Sequence, residues 1–235
     1  MKLDPQILEI LNNFQTINSN IALGEDGFVR TMAVSKTLMA KANISDQFPY
    51  EFGIYDLGEF LSCLSMFDDP TLTFDDNQKF VNITDGVTTF KYYFSEVGSL
   101  TVPTNDIDLE CNDIQFTLTH DQLTQLRKAS ATLRANQLSV RMTKMDSSVA
   151  HSSSQFIQCI ILDKQNPTSN QFTMNIANCS INTTAEFDFI FDINNFKFKI
   201  ANEYEFGIDK KQVALVKAGN INYWVALDKT TTYKE

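Results

Sequence analysis

The feature of this sequence that most constrains its fold is a seven-residue motif that occurs twice, at residues 54–60 and 190–196. Each copy has an apolar residue, an aromatic residue, an aspartate, an apolar residue, two polar or glycine residues and a phenylalanine. Each follows a predicted strand, and its aspartate lies where a helix N-cap is expected, since a carboxylate accepts hydrogen bonds from first-turn N–H groups. Strand-rich sequence follows both copies. The repeat therefore predicts two similar domains in tandem, at residues 1–110 and 111–235.

Hydrophobic periodicity predicts an α+β fold, in which each domain has two short helices packed on a mainly antiparallel sheet. Asp4 and Pro5 favour the start of the first helix, because proline at the first helical position sacrifices no hydrogen bond. Another helix is predicted for residues 120–133, with Thr119 as its cap. Residues 95–112 lack periodicity and are predicted to connect the two domains. The expected buried faces are Ile7, Leu8, Leu11 and Phe14 in the first helix, and Leu123, Leu126, Ala129 and Leu133 in the other.

The composition indicates no membrane span, no metal centre and no cofactor. No apolar run approaches the roughly 18 residues that a transmembrane helix needs, and the first residues lack the apolar core of a secretory signal. The four cysteines form no C-x-x-C pair and the chain has two histidines, so a zinc site is not expected. We therefore expect reduced thiols and a cytosolic protein that does not associate with membranes.

Sequence motifs for catalysis are missing, including a glycine-rich phosphate loop, G-x-S-x-G and H-E-x-x-H. The aspartate pairs at residues 68–69 and 75–76 are candidates for binding Mg²⁺, but both flank a predicted strand in turn-like sequence, which favours solvated carboxylates. His120 and His151 have no identifiable partner for acid–base chemistry. We therefore expect a protein that is not an enzyme.

The chain is acidic, but one segment concentrates its basic residues. The net charge of −10 comes from residues 1–121, which hold 6 basic and 19 acidic side chains, whereas residues 122–235 hold 13 basic and 10 acidic ones. Residues 122–145 contain no acidic side chain and carry three of the four arginines. Long basic side chains on a helix can contact phosphates without reading bases, and no interleaved aromatic residues indicate base stacking. The segment favours contact with a duplex backbone; the alternative is an ordinary solvated face.

Several segments resemble the sliding clamps of T4-like bacteriophages. They are Asn13-Phe14-Gln15-Thr16-Ile17-Asn18-Ser19, Ala42-Asn43-Ile44-Ser45-Asp46, Ile54-Tyr55-Asp56-Leu57 with Phe60-Leu61, and Asn222-Tyr223-Trp224-Val225-Ala226-Leu227. The resemblance runs from end to end and is strongest near the start of the chain and at the final strand. It implies two clamp-type domains in each subunit of a homotrimeric ring, with helices lining a hole around duplex DNA and sheets outside.

The resemblance also implies partners and a location. The ring would tether the phage DNA polymerase for processive replication without sequence specificity, be loaded by an ATP-driven clamp loader, and support late transcription by RNA polymerase. It would act in the cytoplasm of the infected bacterial host. One alternative is a non-enzymatic phage structural or assembly protein, against which the basic helix argues. Another is a small-molecule hydrolase, for which the sequence identifies no nucleophile and base.

The resemblance assigns a DNA-facing set of basic side chains by position. Helical geometry places His120, Arg127 and Arg134 on one stripe, since residues seven apart lie on the same side of a helix. The short helix expected after Asp192 contributes two lysines to the set. The DNA-facing residues so implied are Arg127, Lys128, Arg134, Lys197, Lys199 and Lys2.

Two further expectations come from the resemblance. Related clamps usually carry basic residues on the first helix, whereas this sequence has Asn12 and Asn13 there. Partner peptides of clamps generally dock near the interdomain connector. The expected lining of such a pocket is Val102 and Leu109 in the connector, together with Tyr223 in the C-terminal strand.

Overall fold

Two units of related topology make up the chain. A computed structural model of the protein describes residues 1–45, 48–104, 109–144, 155–166, 168–210 and 212–234, without the side chains of Lys144 and Gln155. The chain divides into Met1–Ile107 and Asp108–Glu235. Asp46, residues 105–108 of the expected connector and His151 lie outside the described residues.

The first unit combines two α-helices with two antiparallel sheets in its described residues. Strands β3, β2, β1 and β4 form one sheet in that spatial order, and β5, β6 and β7 form the other as a meander. The elements are α1 (Pro5–Gln15), β1 (Ile21–Leu23), β2 (Phe28–Met32), β3 (Leu38–Asn43), β4 (Phe52–Ile54), α2 (Leu57–Ser65), β5 (Thr71–Phe74), β6 (Phe80–Thr84), β7 (Thr89–Tyr93) and a 3₁₀ turn (Val97–Ser99).

The second unit has one α-helix and two five-stranded antiparallel groupings in its described residues. One has the order β11-β10-β9-β13-β17 and the other the order β12-β8-β14-β15-β16. The elements are β8 (Ile114–Thr119), α3 (His120–Leu133), β9 (Gln137–Lys144), β10 (Gln155–Leu162), β11 (Phe172–Ile176), β12 (Cys179–Ile181), β13 (Glu186–Asp192), a 3₁₀ turn (Ile193–Asn195), β14 (Glu203–Ile208), β15 (Val213–Ala218), β16 (Ile221–Ala226) and β17 (Thr232–Lys234).

The two units repeat one connectivity. The helix α1 precedes the sheet β3-β2-β1-β4, and α3 precedes the strands β11-β10-β9-β13 in the corresponding order. The meander β5-β6-β7 likewise corresponds to β14-β15-β16. The two copies of the sequence motif begin at equivalent places, the ends of β4 and β13, so the repeated sequence corresponds to a repeated topology.

The first helix begins where the sequence predicts. The Asp4 carboxylate accepts a hydrogen bond from the Gln6 N–H at 2.8 Å, and Pro5 is the first helical residue. Leu8, which was expected to be buried, is half-exposed, and Ile10 is buried instead. The buried face, Ile7, Ile10, Leu11 and Phe14, packs toward α2. Each of these side chains contributes about 1.5–3 kcal/mol by leaving water.

The second copy of the motif does not start an α-helix. In the first copy, Asp56 accepts a hydrogen bond from the Glu59 N–H at 3.1 Å and caps α2. In the second, Asp192 caps the single 3₁₀ turn Ile193–Asn195, with 3.0 Å between its carboxylate and the Asn194 nitrogen. The prediction of two α-helices in the second half is therefore wrong in this detail. The sequence after the turn alternates aromatic and lysine residues, a period of two that suits extended chain and not a helix.

Candidate nucleic-acid interface

Helix α3 is fixed at its start by a reciprocal cap. The Thr119 hydroxyl accepts a hydrogen bond from the Gln122 N–H at 3.2 Å, and the Gln122 side chain accepts one from the Thr119 N–H at 2.9 Å. This capping box satisfies two N–H groups that the helix leaves open. Leu123 and Leu126 anchor the helix in the core, whereas Ala129 and Leu133, also expected there, are half-exposed.

The predicted basic stripe is interrupted at both ends. Lys128 and Arg127 are exposed on α3, but Arg134 lies past its last turn. Arg134 has a left-handed backbone with φ of 53°, and its N–H donates to the Ser130 carbonyl. At the other end, His120 Nδ1 lies 3.3 Å from the Tyr204 hydroxyl. Arg134 is exposed, so its charge remains available, but the regular seven-residue spacing does not describe where it lies.

Arg127 reaches across to the last residue of the second motif. Its guanidinium donates a hydrogen bond to the Phe196 carbonyl. Desolvation of this charged group lowers the pKa of Arg127, although an arginine keeps its charge near neutral pH in any case. Lys197 is the next residue after Phe196 and is exposed. The structure thus brings Arg127 and Lys197, which are distant in sequence, to the same side of the second unit.

Residues 196–201, which we call the lysine segment, run between the 3₁₀ turn and β14. Phe196 and Phe198 are buried, with 2% and 5% of their surfaces exposed, whereas Lys197 is exposed and Lys199 half-exposed. The two phenyl rings stack with their centroids 5.0 Å apart. Lys197 and Lys199 do not lie on a helix, contrary to the expectation. They lie in a segment that is neither helix nor strand and whose phenylalanine side chains are in the core.

Lys2 and the first helix belong to the first unit. Lys2 forms an ion pair with Asp69, and both side chains are exposed, so part of its charge is compensated. Asn12 donates a hydrogen bond to the Leu8 carbonyl at 2.8 Å within its own helix. The structure therefore shows no basic cluster on this helix to match that of the second unit.

The three residues expected to line a partner pocket differ in their exposure. Val102 lines a cavity of about 430 Å³ in the first unit, with Pro103 and the β1–β2 turn. Leu109 is half-exposed and is not among the described residues around that cavity. Tyr223 is fully buried on β16, and its hydroxyl accepts a hydrogen bond from the Lys199 N–H at 2.9 Å. Burial raises the pKa of Tyr223. Tyr223 is a core residue, so its assignment to an open pocket is wrong.

The described residues contain no group of three or more histidine, cysteine and carboxylate side chains placed to hold a metal ion. No helix within the described ranges is long and apolar enough to cross a membrane.

The sequence did not predict the hydrogen bond from Arg127 to a backbone carbonyl. The alternation of Phe196, Lys197, Phe198 and Lys199 was the feature of the sequence that indicated a non-helical segment, and the Arg127 contact holds that segment.

Known proteins share the fold of this chain and part of its sequence. Proliferating cellular nuclear antigen from Entamoeba histolytica has a similar solved structure, with a TM-score of 0.65, 94% of each chain covered and 11% identity. This likeness confirms the expected α+β clamp fold with antiparallel sheets. Residues 4–97 match the model of the family described as DNA polymerase processivity factor.

Curated relatives extend the similarity over the whole chain. The sliding clamp of Vibrio phage KVP40 is 28% identical, with 97% of this chain and 99% of the relative covered. The sliding clamps of Escherichia phage RB69 and Enterobacteria phage T4 are 25% and 26% identical, each with 99% of both chains covered. These matches confirm the resemblance to the sliding clamps of T4-like phages, and the similarity extends over nearly the whole chain.

Proposed function

We propose that the protein is a homotrimeric ring that encircles duplex DNA without reading its sequence and tethers the phage DNA polymerase for processive replication. Loading by an ATP-driven clamp loader and use by RNA polymerase in late transcription belong to the same proposal. The observation that carries it is the full-length similarity to three phage sliding clamps. The clamp fold and the basic surface of the second unit support it.

The DNA-facing surface is proposed to centre on α3 and the lysine segment. Residues 122–145 include no acidic side chain, so this part of an acidic protein repels phosphates least. Lys128 and Lys197 are exposed, and the Arg127 contact brings their elements together. Contacts of this kind are independent of base sequence and weaken as salt is added. The proposed set remains Arg127, Lys128, Arg134, Lys197, Lys199 and Lys2.

Subunit contact is proposed to use the outer edges of β7 and β11, which end their sheets within the described residues. The edge of β5 is less suitable because Met1 exchanges backbone hydrogen bonds with Leu72, at 2.8 and 2.7 Å. In contrast, β7 carries Tyr93 with 66% of its surface exposed, and unpaired strand edges favour pairing with another chain. Pairing between unlike edges of identical subunits generates a ring when the rotation closes.

A partner peptide is proposed to contact the cavity beside Val102. Partner docking by an extended or helical peptide needs an apolar recess with a polar rim. Phe28, Val102 and Pro103 contribute apolar surface to this cavity, and Glu25 and Glu51 contribute carboxylates. Leu109 remains part of the proposal as a half-exposed connector residue.

Sedimentation velocity combined with primer extension tests this function. The molar mass that sedimentation gives for the purified protein is expected to be three times the 26.7 kDa of one chain, or to approach that value as the protein concentration rises. With its phage polymerase and loader, it should lengthen the products made in a single binding event on primed circular DNA. A monomer at all concentrations, or product lengths unaffected by the protein, would refute the proposal.

A further inference from the structure

We propose that Arg127 is a positioning residue that fixes the lysine segment, so that Lys197 and Lys199 are presented to DNA phosphates. The inference rests on the proposed DNA-facing role of the second unit. It gives Arg127 a part that differs from direct contact with a phosphate.

Three hydrogen bonds from other elements hold the backbone of the lysine segment. Arg127 donates to the carbonyl of Phe196 at the start of the segment. The Lys199 N–H donates to the Tyr223 hydroxyl at 2.9 Å, and the Ala201 N–H donates to the Tyr204 hydroxyl at 3.3 Å. The segment is in neither a helix nor a strand. These three hydrogen bonds therefore pair and fix backbone groups that a helix or a sheet would otherwise pair.

The tyrosine hydroxyls are rigid anchors because their rings are buried. Tyr223 and Tyr204 have 0% and 1% of their surfaces exposed. Phe198 packs against both, with ring centroids 4.9 Å and 5.8 Å away. The far part of the segment is thus tied to the core, while the Phe196 end depends on the exposed helix α3 through Arg127.

The order of side chains in the lysine segment decides which of them are buried and which are exposed to solvent. Phe196 and Phe198 are buried in the core, whereas Lys197 between them is exposed and Lys199 is half-exposed. With the two rings packed in the core, the lysine between them is held toward solvent.

The guanidinium of Arg127 is directed toward the protein. It contacts a main-chain carbonyl and is desolvated enough for the pKa of Arg127 to be lowered. Arg127 and its neighbour Lys128 are both exposed on α3, and Lys128 serves as the matched control because the contact with the Phe196 carbonyl is made by Arg127. Removing the Arg127 side chain takes away the hydrogen-bond donor that holds the carbonyl next to Lys197.

A double-mutant cycle separates positioning from direct contact. Association with a fluorescent duplex is measured at several salt concentrations for Arg127→Ala, for the pair Lys197→Ala and Lys199→Ala, and for all three changes together. The same cycle with Lys128→Ala in place of Arg127→Ala is the control. Circular dichroism melting of each variant verifies that it is folded.

Non-additive loss is the expected result. Arg127→Ala alone should lower the salt slope of the association constant by up to about two, approaching the effect of the lysine pair, since each lost phosphate contact removes about one. Adding Arg127→Ala to the lysine pair should change little further, whereas Lys128→Ala should add its full effect. Full additivity of Arg127→Ala with the lysine pair would refute the positioning role.

Hydrogen exchange provides a readout that charge loss alone does not change. Arg127→Ala should accelerate exchange of the Lys197 amide, which donates to the Asn195 carbonyl at 2.8 Å beside the Arg127 contact, and Lys128→Ala should not. Tyr223→Phe, which keeps the ring and removes the acceptor, should accelerate the Lys199 amide and lower the salt slope. Unchanged exchange in Arg127→Ala would contradict the inference. If neither the lysine pair nor Lys128→Ala affects DNA association, the DNA-facing proposal itself fails, and the positioning role fails with it.

Discussion

Neutralising Lys128 and Arg134 together gives a quantitative test of the proposed interface. Both residues are exposed, and neither has its side chain in the core. The variant Lys128→Gln, Arg134→Gln should therefore change the free energy of unfolding by no more than about 0.5 kcal/mol. The left-handed conformation at residue 134 is retained by glutamine at a similar cost, since both side chains carry a Cβ.

The effect on DNA association follows from counterion release. If each side chain contacts one phosphate, the pair accounts for about 1.8 in the slope of log K against log salt. Between about 50 and 200 mM salt, the wild type should therefore lose roughly twelvefold more affinity than the variant. Titrations of a labelled duplex followed by fluorescence anisotropy give both slopes. Lys217→Gln, at an exposed lysine on β15 outside the proposed set, is the control. Equal slopes for the wild type and the variant would refute the reasoning.

Three further expectations concern the units themselves. Asp56→Ala should lower the free energy of unfolding by about 1 kcal/mol, and Asp192→Ala by less because it caps only a 3₁₀ turn; denaturant titration compares them, and equal losses would contradict this. Burial raises the pKa of Tyr92 to about 12. The contribution of the neutral Tyr92 side chain to the free energy of unfolding is therefore present below pH 10 and is lost as the pH rises toward 12. Alkaline denaturation should show a smaller loss of stability in Tyr92→Phe. A thiol reagent should modify the half-exposed Cys179 before the buried Cys159, whose pKa burial raises to about 12; the reverse order would argue against the described core.

Helix α3 was predictable to the residue because its signals are local. Thr119 and Gln122 lie within one turn of each other, and their capping box is visible as a pattern in the sequence. The strand β3 (Leu38–Asn43) is not predicted by the sequence. Ala40, Lys41 and Ala42 have weak strand propensity, and the strand forms through its antiparallel pairing with β2.

The candidate site was predictable in its residue types but not in its geometry. The absence of acidic residues around Arg127 and Lys128 is a property of composition. The contact between Arg127 and the Phe196 carbonyl joins residues 69 apart in sequence and uses a main-chain acceptor that every residue offers. Tyr223 was misassigned for a related reason, because its position in a strand near the end of the chain says nothing about which side of the sheet its ring occupies.

The central claim, a closed ring around DNA, is tested most directly by making retention depend on DNA topology. The protein is loaded onto nicked circular DNA with loader and ATP, isolated by gel filtration in moderate salt, and then treated with a restriction enzyme that cuts the circle once. We expect stable retention on the circle and release after linearisation, because an acidic protein with sequence-independent contacts slides off free ends. Equal retention on circular and linear DNA would contradict it.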